Sequence, residues 1–104
     1  MARGVTDSTD WVTERTDGAP PRLQARVREW FGRSGGASGV DRLAHAGTLA
    51  LAAADVSAAD RGSALDLLAA DALITLALLA QAERAPESLA DAARRLRVNA
   101  VEAV

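Results

Sequence analysis

The 104 residues contain no cysteine, which excludes disulfides, thiolate metal sites and cysteine nucleophiles. Lysine and tyrosine are also absent, and all 12 basic side chains are arginines. His45 is the single histidine, so a multi-histidine metal centre needs more than one chain. Isoleucine occurs once, at Ile74, and β-branched residues never alternate with polar ones over a useful length, which argues against strands. There is no P-loop, no dinucleotide-binding glycine pattern, no H-E-x-x-H and no calcium-loop spacing. Residues 1–20 are polar and lack the apolar run of a secretory signal. The charge-free core of the most apolar stretch, Ala72 to Ala82, is 11 residues. A membrane span needs ~20. A cytoplasmic chain with no membrane span is therefore expected.

Alanine is abundant instead, at 25 residues, and the alanine and arginine excess fits the codon bias of a GC-rich bacterial genome. Both residues favour helix. Net charge is −2, which supplies no global basic field for nucleic acid, so no nucleic-acid partner is expected. Charge is uneven along the chain. Residues 20–36 carry Arg22, Arg26, Arg28 and Arg33 against Glu29, whereas residues 38–85 carry six acids against three arginines.

Residues 1–19 form a polar arm, either disordered or holding one short helix from Asp10 to Thr16, with Thr9 as cap and Gly18 as stop. Residues 20–104 should form a helical bundle. Pro20 and Pro21 open a helix over about 21–33, with Leu23, Val27, Trp30 and Phe31 on one stripe. A flexible Gly/Ser linker occupies 34–39. The next helix, about 39–55, is capped by Ser38 with Asp41 three residues on. Its face Val40, Leu43, Gly47, Ala50, Leu51 and Ala54 is small enough for close backbone approach. Ser57 with Asp60 signals a third helix over about 58–84, joined to the second as a hairpin or a kinked rod. Pro86 opens the last, about 86–102. The spacing predicts an all-α fold, a compact bundle of about four helices with the hydrophobic third helix central.

On that central helix the residues Leu67, Leu68, Ala72, Ile74, Thr75, Leu76, Leu78 and Leu79 span an arc of roughly 200° at 100° per residue. One neighbour cannot cover so wide an arc. Asp71 lies inside it, with Thr75 one turn on, and a buried carboxylate is costly unless paired. The structural expectation is an ion pair between Asp71 and Arg22, Arg26 or Arg42; the functional alternative is a buried polar site formed by Asp71 and Thr75. Asp66 falls on the alanine face and is expected to be solvated. Asp41 and His45, four apart, read as a solvated surface pair. Residues 88–99 have the cadence of the first half of a helix-turn-helix, but only five residues follow Asn99, too few for a recognition helix.

No catalytic residue, cofactor or metal is expected. The functional expectation is a non-enzymatic helical interaction module that forms a homodimer or binds another protein. Its interface would use Leu67, Ile74 and Leu78, with Trp30 and Phe31 as anchors. The alternative is a small-ligand binder or enzyme with a buried Asp71 as its polar centre.

Overall fold

Local signals set most of the helix ends. In the computed structural model, which describes residues 9–35, 39–56 and 60–103, the chain folds as α1 (Thr9–Arg15), α2 (Pro21–Arg33), α3 (Gly39–Val56), α4 (Arg61–Arg84) and α5 (Leu89–Ala103). A single 3₁₀ turn, Pro86–Ser88, precedes α5, so Pro86 starts a tight turn and α5 itself begins at Leu89. No strand occurs among the described residues, and the architecture is an all-α bundle. Gly18 ends the first segment at φ +95°, a backbone region that side chains other than glycine's rarely adopt. Pro20 and Pro21 supply the first turn of α2, where no N–H is needed. Asp60 itself caps α4 by accepting a hydrogen bond from the Ser63 backbone N–H at 2.6 Å. The expected start near residue 58 therefore moves to Arg61. Ser38 and Ser57, named above as cap residues, lie outside the described residues.

α3 and α4 form an antiparallel hairpin. The Ser63 hydroxyl donates to the Ala54 carbonyl at one end of the pair, while Gly47 faces Leu73 and Ile74 further along. Gly47 is the point of closest approach. A Cβ placed there would lie 2.8 Å from Ile74 Cγ1 and 3.4 Å from the Ile74 backbone nitrogen. Small residues continue the contact, with Ala46 and Ala50 on α3 and Ala69, Ala70, Ala77 and Ala80 on α4, all buried. The face that the sequence marked for close backbone approach is used in that way.

α2 crosses this hairpin with Val27 and Phe31 fully buried, and α5 lays Ala92 and Leu96 against it. Arg42 of α3 reaches the end of α2, where its guanidinium hydrogen-bonds the Phe31 carbonyl and stacks 4.0 Å from the Phe31 ring centroid. That arginine satisfies a carbonyl left open by the helix end. α1 belongs to the domain, because Trp11 and Val12 are buried in the same core. It is tied down by the Gln24 side-chain amide donating to the Thr16 carbonyl and by the ion pair Arg15–Glu83, 3.0 Å. The polar arm is thus a docked helix from Thr9 onward; residues 1–8 lie outside the described residues.

α4 touches α2, α3 and α5 and is central, as its apolar character requires. Among the described residues it is the one helix long and apolar enough to cross a membrane by length and composition. Here its inner side is the core of the bundle, with 44% of its most apolar stretch buried.

Candidate interaction surface

The arc that faces inward on α4 is not the leucine-rich one. Its buried residues are Ser63, Asp66, Ala69, Ala70, Leu73, Leu76, Ala77, Ala80 and Gln81. Asp71 and Thr75 are exposed, which corrects the expectation of a buried polar site at that pair. No arginine is ion-paired with Asp71 among the described residues. The physical reason is that apolar residues surround α4 on nearly every side. The hydrophobic pattern alone cannot choose a face, and the narrow alanine face fits the glycine-bearing face of α3 better.

The buried acid is Asp66, which the sequence assigned to solvent. It is 9% exposed. Trp30 Nε1–H donates to its Oδ1 at 2.9 Å, and Arg26 Nε lies 2.8 Å from the same oxygen. That guanidinium nitrogen is buried and its N–H is not aligned for a hydrogen bond, so the Arg26 contact is an ion pair and the indole makes the directed bond. An α2 arginine pairing with an α4 aspartate was the right chemistry on the wrong acid. The signal that identifies Asp66 is its spacing: it lies three and four residues before Ala69 and Ala70, on the strip that continues to Leu73 and Ala77.

The aromatic anchors are committed internally as well. Phe31 is fully buried beneath Arg42, which removes it from any docking surface. Trp30 is half-buried, with its N–H bound to Asp66 and its ring against the Arg33 guanidinium, 4.8 Å from the centroid. Both hold α2 to the bundle.

Three apolar residues remain well exposed on α4: Leu67 and Leu68, each 54% exposed, and Leu79. With Ala64, Asp71 and Thr75 they make a continuous outer face. Asp71 is its one charge between Arg61 and Glu83. Ile74 and Leu78 sit at the edge of this face, half-buried, where they line a shallow apolar groove of about 210 Å³ with Ala93, Leu96 and Arg97 of α5. The structure therefore gathers Leu67, Ile74 and Leu78 on one side of α4 and places Trp30 and Phe31 elsewhere.

A second recess of about 330 Å³ lies between α3 and α5, floored by Val40, Ala44 and Leu96 and rimmed by Asp41, His45, Arg95 and Asn99. Asp41 and His45 are both exposed there, in keeping with a surface pair. No group of three histidine, aspartate or glutamate side chains converges on a metal-sized site among the described residues.

No protein-family model matches this chain, and no curated protein or solved structure is significantly similar to it.

Proposed function

We propose that this protein is a non-enzymatic helical interaction module that docks a protein partner on the outer face of α4. The observation that carries this reading is the pair Leu67 and Leu68, more than half exposed two turns into a helix whose other side is core. Leu79 extends the same face by three turns. Leucines held in water on a rigid helix gain about 25 cal/mol per Å² when a partner covers them. Grooves and helix faces of this kind take an amphipathic partner helix through anchors spaced three and four residues apart. The bundle beneath supplies rigidity, since α4 is fixed on its inner side by α2, α3 and α5.

The alternative of a ligand pocket centred on Asp71 has less support, because Asp71 is exposed and lines neither of the recesses described above.

A photo-crosslinking amino acid in place of Leu68, introduced in the cells that make the protein, tests this reading. A discrete protein adduct is expected from position 68 and none from Ala25, an exposed position on α2. Absence of any adduct at position 68, with the substituted protein folded, overturns it.

A further inference from the structure

The outer face of α4 is self-complementary, and this points to its occupant. The inference rests on the docking reading above. About residue 73, to within half a residue, like meets like in Ala64 with Ala82, Leu67 with Leu78 and Leu68 with Leu79, and the acid Asp71 meets the hydroxyl of Thr75. At 100° per residue each leucine pair lies on one side of the face, Ala64 and Ala82 fall on its centre line, and Asp71 and Thr75 lie about 20° to either side of that line. A two-fold axis perpendicular to α4 at residue 73 brings each member against its mate on a second, antiparallel α4. That is the condition for an isologous interface, in which residue i meets j and j meets i.

We propose that two copies of this chain pair through antiparallel α4 helices in this register. Leu67 and Leu68 of each protomer cover Leu78 and Leu79 of the other. The alanines at both ends let the helices approach. Each Asp71 faces the Thr75 hydroxyl of the second copy, which donates a hydrogen bond to the carboxylate. The same register brings Arg61, exposed at the start of α4, to the end of the seam where Glu83 of the second copy, ion-paired with Arg15 of its own chain, flanks the face. Opposite charges thus approach each other at the two ends of the seam. The single unfavourable element is the approach of the two Asp71 carboxylates, about 6 Å apart along the seam for a four-residue offset. Like charges at that distance weaken the pairing without forbidding it.

Light scattering and sedimentation from about 1 to 100 µM measure the mass directly. The expected mass is twice the 10.8 kDa of the single chain. Leu68→Glu is expected to weaken pairing roughly a hundredfold with helicity unchanged, because it sets a charge against Leu79 of the second copy. Asp71→Asn is expected to tighten pairing on the order of tenfold. The absence of natural cysteine makes the register readable. A mixture of Leu67→Cys and Leu78→Cys proteins should form the mixed disulfide under mild oxidation, while Leu67→Cys alone should not, since its two copies lie about 18 Å apart along the seam.

A dimer that persists with Leu68→Glu, or that crosslinks through Leu67→Cys alone, overturns the register. A single-chain mass throughout, with an adduct of position 68 to a protein of another mass, overturns the second copy and leaves the docking reading standing. A single-chain mass with no adduct overturns both.

Discussion

The two long sides of α4 are built from opposite materials. The inner side is built around four alanines, with Leu73 and Leu76 as its larger apolar residues and with Asp66, Ser63 and Gln81 buried among them. The outer side holds Leu67, Leu68 and Leu79 in solvent. Size and hydrophobicity therefore do not decide which side is inside. Fit decides it: α3 presents Gly47, Ala46 and Ala50, and only a thin face can lie against them. The inner side has a full complement of neighbours within the chain. The outer side has the composition of a core face and no partner among the described residues. The first should govern folding, and the second association.

Truncating one leucine on each side gives the largest contrast. Leu73 is fully buried where α3 and α4 meet, so Leu73→Ala should cost about 2–5 kcal/mol of unfolding free energy. In a domain this small that is a large share of the total. Leu68→Ala should change monomer stability by no more than about 0.5 kcal/mol. Urea titration of the two variants at a concentration where the chain is monomeric checks the difference. Equal losses would mean that the outer face is covered within the chain.

The next contrast is polar. Asp66→Ala leaves the Trp30 indole N–H without its acceptor and the buried Arg26 Nε without its counter-charge. An orphaned donor costs about 1–3 kcal/mol. The ion pair adds less than a fully buried one would, because the Arg26 side chain is 27% exposed. Asp66→Asn keeps an oxygen for the indole and should lose roughly half as much. Comparing the thermal unfolding of the two variants separates the hydrogen bond from the charge. If Asp66→Ala unfolds like the parent protein, the bridge contributes nothing and the apolar packing of Val27 and Phe31 holds α2 to the bundle.

Much of the fold was legible because its signals are local. Prolines at 20 and 21, glycine at 18 and the four-residue stripe of α2 each report the conformation of their own few residues. The close contact at Gly47 was legible for the same reason: a glycine among alanines on one face has few other uses. The orientation of α4 was not legible. Its inward face depends on the shape of α3, which no pattern within residues 61–84 contains, and leucine on nearly every side removes the usual amphipathic cue. Assigning the inside by bulk exchanged Asp66 for Asp71 and made Phe31 an outward anchor, although it is sealed under Arg42. The grouping of Leu67, Ile74 and Leu78 survived that error, because three residues on one face stay together whichever way the face turns.

The smallest expected effect comes from the aspartate on the other side. Asp71 and Asp66 are five residues apart on one helix and differ in every physical respect that matters to folding. Asp71 is exposed and has no ion-pair partner among the described residues. Its carboxylate is hydrated in both the folded and unfolded chain, so neutralising it removes no internal contact. Asp71→Asn should therefore leave the unfolding free energy of the monomer within about 0.5 kcal/mol of the parent, well below the loss for Asp66→Ala. Measured below the association threshold, that null result assigns Asp71 wholly to the outer surface. A loss of 1 kcal/mol or more would require an intramolecular partner for Asp71 and would restore the inward-facing leucine arc.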